Sequence, residues 1–326
     1  MNHRLLAVAA AALVLALPAP LFAWNETGHQ LIAAIAWDRM TPAARQKAIA
    51  LLSAAPADAC LLNLLPTDSR PLDVRQREFF VRASTWSDNV RPDRNDTRPC
   101  TRFHRRDWHF INFFWSGLSG GAGANLPTNR TEIAVPTDNA VERLAFLRPL
   151  VACNAAPCGT LEAAQATALA WILHLVGDIH QPLHSTARVT TQPDERQGDQ
   201  GGNLFKLGPP STTNPPLSLH SYWDGIIDRA VPRLPGEGVQ AYVSRVGAAI
   251  VMKHPPASMS PRLKSGGFAA WSSEGFETTK RAVYPSTLTR GQMPLPAYQT
   301  NALAIAQEVI ALGGYRLADL LNQMFV

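Results

Sequence analysis

Cysteine is scarce in this chain, and neither the CxxC spacing of thiolate zinc sites nor the HExxH motif of helical zinc proteases occurs. The first absence argues against a cysteine-ligated structural metal, which draws paired thiolates from such spacings. The second removes the usual zinc protease arrangement. After residue 23 no apolar run approaches the roughly 20 residues that a membrane-spanning helix needs, so no membrane anchor is expected. Between Trp24 and Val326 there is no internal repeat, no long Gly/Ser linker and no second shift of composition. One domain over residues 24–326 is expected.

The opening stretch, MNHRLLAVAAAALVLALPAPLFA, is cationic at His3 and Arg4, apolar from Leu5 to Leu17, and broken by Pro18 and Pro20. This is the pattern of a secretory signal peptide over residues 1–23, cleaved after the small residue Ala23. Export, to the periplasm or outside the cell, permits disulfides. The four cysteines allow three pairings; Cys153 with Cys158 would close a small loop around Pro157 and leave Cys60 with Cys100. The formal charge of +5 falls to +4 once Arg4 is removed, a weak preference for polyanionic substrates.

Apolar residues recur at helical spacing over Gln30–Met40, Ala43–Leu52, Asn139–Val151, Leu161–Ile179, Val239–Met252 and Asn301–Leu321. The expected fold class is mainly α. Only Trp108–Phe114 and Leu204–Leu207 resemble strands, while Arg91–Arg106, Ser116–Pro136 and Ala187–Leu217 are rich in Gly, Pro, Asn and charge and are predicted as long loops. Loops of that length commonly border an active site.

The stretch His174-Leu-Val-Gly-Asp178-Ile-His180-Gln-Pro-Leu-His184 carries the chemistry. On a helix His174 and Asp178 lie one above the other, so an imidazole nitrogen and a carboxylate converge on one point. Pro182 then turns the chain and brings His184 near. The same spacing recurs in His220-Ser-Tyr-Trp-Asp224. One such pair is an ordinary surface hydrogen bond; two, set among Trp171, Leu175, Ile179 and Trp223, call for a compensating cation. Imidazole and carboxylate without thiolate suit zinc or a similar divalent ion, and several such ligands around a shared carboxylate suit a cluster. Composition leaves both His104 and His109 open as further ligands, and His180, off the His174/Asp178 face, as an outer contact or a surface residue.

With these motifs goes an ordered series of others: Trp24-Asn-Glu-Thr-Gly28-His29, Ser84-Thr-Trp86-Ser-Asp88-Asn-Val-Arg91, Trp108-His109-Phe110-Ile111-Asn112, Gly201-Gly202-Asn203, Trp271-Ser-Ser-Glu274 and Gly314-Tyr-Arg316. Together they resemble the zinc-dependent single-strand nucleases of the S1/P1 type, which share a helical fold with zinc phospholipase C. The resemblance implies three zinc ions. Asp88, His109, His174 and Asp178 would surround the first, with Asp178 bridging to a second held by Trp24 and His29, and His184, His220 and Asp224 would hold the third. Trp24 would bind through its α-amine and carbonyl, which requires signal cleavage to free the amine. His109 rather than His104 matches the motif.

The implied reaction is hydrolysis of single-stranded DNA and RNA to 5′-phosphorylated nucleotides, with 3′-nucleotidase activity alongside. Asp88 would orient the attacking water, Asp178 would link the metal pair, and Arg91 would neutralise the phosphate. Phe110 would stack on a splayed base, which a paired base cannot reach cheaply. Asn112 stands where the family generally has aspartate and can donate as well as accept, which bears on base preference. Asn203 is a substrate contact or part of a plain Gly-Gly-Asn turn. A monomer with no protein partner is expected. Competing expectations are a zinc phospholipase C, disfavoured by Arg91 and Phe110-Ile111-Asn112, and a secreted zinc-binding protein without turnover.

Overall fold

The computed structural model describes residues 24–116, 138–153, 162–209, 216–264 and 266–325. Residues 1–23, expected to be a signal peptide, the 117–136 part of one expected loop and Cys158 lie outside these. Among the described residues the chain forms α1 (Glu26–Arg39), α2 (Pro42–Ser53), α3 (Leu72–Ala83), α4 (Trp86–Asn89), α5 (Ala140–Ala152), α6 (Glu162–Asp178), α7 (Leu219–Asp224), α8 (Ile226–Ala230), α9 (Val239–Lys253), α10 (Pro256–Leu263), α11 (Gly267–Thr278) and α12 (Pro296–Met324). Two short strands, β1 (Phe113–Ser116) and β2 (Thr186–Val189), pair in parallel, Phe113 opposite Thr186. The fold is mainly α, and each of the six periodic segments is a helix.

The strand expectations were only partly right. Trp108 and His109 lie in a 3-10 turn, Arg106–His109, and extended structure starts at Phe113. Leu204–Leu207 makes a single bridge, Lys206 to Ser218, and the loop expected from Ala187 begins as β2.

Helix α1 is buried from Thr27 to Trp37, so it is a core helix and not an amphipathic surface one. Asn25 caps it, its side chain accepting from the Gly28 amide at 3.2 Å, with Glu26 in the positive first turn. Against it lies α12, at close range because Gly314 has no side chain: a Cβ there would sit 2.5 Å from Cγ2 of Ile35. The inner part of α6 is apolar or cluster-bearing from Ala168 to Asp178 and wholly buried. These helices share one continuous apolar core.

Asp178 ends α6, and Gln181 and Pro182 start a 3-10 turn, Pro182–Ser185, that carries His184 directly into β2. The Ile111 amide donates to the His184 carbonyl at 2.8 Å, which ties the segment after His109 to this turn. A disulfide joins Cys60 to Cys100, with Cα atoms 5.6 Å apart. Cys153 is also oxidised.

Candidate metal centre

Helix α6 presents His174 and Asp178 fully buried on one face, with His174 Nε2 3.3 Å from Asp178 Oδ2. From the first turn of α1, His29 stacks on the His174 ring at 3.9 Å and brings Nε2 to 3.4 Å from Asp178 Oδ1. The 3-10 turn Arg106–His109 places His109 Nδ1 3.0 Å from His174 Nε2 and 3.2 Å from Asp178 Oδ2. From α4, Asp88 Oδ1 lies 3.8 Å from both His109 Nδ1 and His174 Nε2. With His184 Nδ1 3.8 Å from its Oδ1, the one carboxylate of Asp178 thus faces four imidazoles from four segments.

A second group adjoins it. His184 Nε2 lies 3.1 Å from His220 Nε2, and His220 Nε2 lies 3.6 Å from Asp224 Oδ2. Helix α7 supplies His220 and Asp224 at i and i+4, capped by Ser218, whose hydroxyl accepts from the Ser221 amide at 3.0 Å. Gln181 fixes Asp224 to the turn that carries His184: its amide nitrogen donates to Asp224 Oδ1 at 2.7 Å while its oxygen accepts from the Leu183 amide. Trp24 is buried beside them, and the Asn25 amide donates to the Asp224 carbonyl at 3.3 Å.

The donor chemistry fits cations. His174, His184 and His220 each place Nδ1 at 2.6–2.8 Å from a backbone carbonyl, those of Ser84, His109 and Gly201. A carbonyl only accepts, so Nδ1 carries the proton and Nε2 presents a lone pair. Two such lone pairs, on His184 and His220, point at each other across 3.1 Å, which is repulsive without a cation between them and close to the spacing of two nitrogens on one tetrahedral zinc. Both nitrogens of His29, Oδ1 of Asp178 and Oδ2 of Asp224 are buried with no hydrogen-bond partner. Buried polar atoms are rarely left so.

Electrostatics agree. Burial holds the imidazoles of His29, His109 and His174 well below their usual pKa, and it pushes Asp178 and Asp224 well above theirs, helped by the other carboxylates. Burial raises Asp88 to about 7, against the opposing pull of Arg91. Without metal the cluster is driven towards neutral side chains; divalent cations would reverse the carboxylate shifts.

Above the cluster opens a cavity of about 210 Å³, lined by Asp88, Arg91, His104, Arg106, His109, Phe110, Asn112, Leu183, His184, Gln200, Gly201, Asn203 and His220. Larger clefts on other faces, of about 680 and 750 Å³, carry arginines and carboxylates but no histidine.

The S1/P1 Nuclease family model matches residues 24–326. The chain belongs to the S1/P1 nuclease family. It is similar to Endonuclease 3 of Arabidopsis thaliana, 28% identical over 167 residues, and to Endonuclease 5 of the same plant, 27% identical over 165 residues. Each alignment takes in 48% of this chain and 51% of the relative, so the chain spans about half the length of the curated relatives it matches.

In this S1/P1 family chain the structure brings the expected site residues together. His109, His174 and Asp178 form one ligand-competent group, His184, His220 and Asp224 another, and His29, Asp88 and His174 a third. Arg91, Phe110, Asn112 and Asn203 line the cavity above. Asn203 also closes its own turn, donating to the Gln200 carbonyl at 2.9 Å. His104 lines the cavity but joins none of the three groups. His180 is neither a surface residue nor part of the cluster. It is buried with Nε2 3.1 Å from Arg316 Nη1, and burial first, then Arg316, lowers its pKa to about 3.

Sequence reasoning missed Gln181, Gln200, Arg106 and the role of Gly177, where a Cβ would lie 2.6 Å from His29 Nδ1. Gln200 and Gly201 both have positive φ, 53° and 59°, and at Gly201 a Cβ would meet the Leu183 carbonyl at 2.4 Å. Only glycine fits there, and the turn aims the Gly201 carbonyl at His220. The glycine pair was the one available signal.

Proposed function

We propose that this chain is an exported, three-zinc phosphodiesterase that hydrolyses single-stranded DNA and RNA to 5′-phosphorylated nucleotides and also removes 3′-phosphates. The observation that carries it is the facing pair of His184 and His220 lone pairs beside the buried, unpartnered oxygens of Asp178 and Asp224. Asp88, His109, His174 and Asp178 would hold one ion; Asp178, His29 and the amine and carbonyl of a processed Trp24 a second; His184, His220 and Asp224 a third. When bound, such ions neutralise charge on the attacking and leaving oxygens of an in-line displacement and lower the pKa of water.

The side chains divide the remaining work. Arg91 lines the cavity next to Asp88 and would pair with the equatorial oxygens of the reacting phosphate. Asp88, at the boundary between cluster and cavity, would accept a proton from the attacking water and orient it. Phe110, half-buried on the cavity wall, offers a face for one unstacked base, and Asn112 can both donate to and accept from its edge. A base locked in a duplex cannot enter, which would make the activity strand-selective.

Incubation of the zinc-loaded protein with single-stranded DNA, RNA, duplex DNA and phosphatidylcholine vesicles tests this. Cleavage of the single strands to 5′-phosphorylated products is expected. Lipid hydrolysis with intact nucleic acid would replace the proposal with a phospholipase, and metal binding without any hydrolysis would replace it with a binding protein.

A further inference from the structure

The segment 91–106 holds six arginines against two aspartates, with His104 among them. Its net +4 compares with +5 for the whole chain. The arginines do different things. Arg98 pairs with Asp96 and donates to the Asn89 carbonyl at 3.0 Å, Arg102 pairs with Asp58 at 2.6 Å, and Arg105 donates to the Arg102 and His104 carbonyls at 2.8 Å. These three strap the segment to itself and to the body, and the Cys60–Cys100 disulfide pins its middle. Arg91 lies beside Asp88 at the cluster.

Arg106 differs from the straps. It is exposed, lines the cavity, and makes no ion pair with a carboxylate among the described residues. Next to it His104 also lines the cavity, with Nδ1 buried and without a hydrogen-bond partner. A guanidinium and an imidazole two residues apart in the chain, both lining the cavity that Arg91 also lines, match the oxygens of a phosphate. In a single strand every scissile phosphate has neighbours one nucleotide away.

We propose that Arg106 and His104 form a second phosphate seat, which binds the phosphate adjacent to the one being hydrolysed. The inference rests on the nuclease reading and deepens it. Arg91 holds the reacting phosphate and Arg106 sets the register of the strand across the cavity. The protein would then favour a substrate with a flanking phosphate over one without.

Dinucleotides separate the two ideas. NpN carries the scissile phosphate alone, while pNpN and NpNp add one phosphate on either side; only initial cleavage between the two nucleosides is counted, so that removal of the 3′-phosphate of NpNp does not enter. Wild type should show kcat/KM about tenfold higher for one of the flanked substrates than for NpN, the size expected of a charge-assisted contact. Arg106→Ala should erase that preference, Arg106→Lys should keep part of it, and Arg94→Ala, an exposed arginine outside the cavity lining, should leave it intact.

A binding measurement stands beside the kinetics. For a hydrolysis-resistant phosphorodithioate oligothymidylate, Arg106→Ala should reduce the slope of log affinity against log salt by about 0.7, one phosphate contact on a single strand. Loss of hydrolysis of every substrate by wild type would defeat the nuclease reading alone. An unchanged flanking preference or an unchanged salt slope in Arg106→Ala would overturn the second seat.

Discussion

Nε2 of His184 and Nε2 of His220 lie 3.1 Å apart while the Nδ1 atoms of both rings sit against carbonyls. Each ring is locked in the tautomer that turns its lone pair inward. His184→Ala or His220→Ala should therefore lower the zinc content by about one ion per chain and abolish most hydrolysis, with elemental analysis as the check.

Gln181 is a subtler probe, because it holds Asp224 and the turn of His184 without contacting the cavity. Gln181→Leu should weaken zinc at that site by about 10- to 100-fold, the usual effect of removing an outer hydrogen bond to a ligand. Competition with a graded chelator series reads this directly. Unaltered affinity would show that Asp224 needs no orienting partner.

The buried pKa shifts have a sign that can be tested on zinc uptake. Asp88, raised to about 7, is largely protonated below that pH in the metal-free protein, whereas His29, His109 and His174 are already neutral. Zinc loading at pH 6 should release protons from carboxylates, and affinity should climb as pH rises through about 7, where Asp88 ionises, with Asp178 and Asp224, also raised, adding to the climb. Calorimetry in buffers of different ionisation enthalpy counts the protons, and Asp88→Asn should remove one. A proton count unchanged by that substitution would assign the release elsewhere.

An added residue ahead of Trp24 should abolish the proposed chelate and cost one zinc with most of the activity. The indole is buried and packs on Gly28, where a Cβ would meet Trp24 Cβ at 2.7 Å, so there is little slack for an alternative placement. Mass spectrometry of the intact N-terminus, paired with zinc content, distinguishes the processed from the extended form. Full zinc in the extended form would show the amine to be dispensable.

Arg316→Met tests the buried chain His180, Arg316, Glu274. Arg316 donates to Glu274 at 2.7 Å and to the Arg262 carbonyl at 2.8 Å. Removing one partner of a buried pair costs roughly 3–5 kcal/mol, and the partial exposure of Glu274 puts this case at or below the lower end. Denaturant unfolding should register the loss while zinc stoichiometry stays the same.

The helices legible in the sequence were those whose apolar residues keep a helical period over several turns, such as α1, α6 and α12. Helix α3, LDVRQREFFVRA, was missed because charged residues fill its outer face and its apolar cluster is confined to Phe79, Phe80 and Val81. Helix α11 was missed because glycine discounts a helix, yet Gly275 is there to admit Ser185, whose Oγ would lie 3.2 Å from a Cβ.

Within the site, the His174/Asp178 and His220/Asp224 pairs were legible because helical spacing alone sets each on one face. Gln181 was not, since an amide acquires its meaning only from where Asp224 arrives. His180 was ambiguous for the same reason: the residue that claims it, Arg316, is 136 positions further on.

Gly314 sets the separation between α12 and α1 at Ile35, six positions along α1 from His29. At 1.5 Å per residue the two points are about 9 Å apart on one rigid rod. The rod acts as a lever whose fulcrum is a missing methyl group, and lengthening that fulcrum by one carbon would swing the imidazole at its other end. The tolerance in the placing of His29 is thus inherited from a contact between two apolar surfaces that lies outside the cluster.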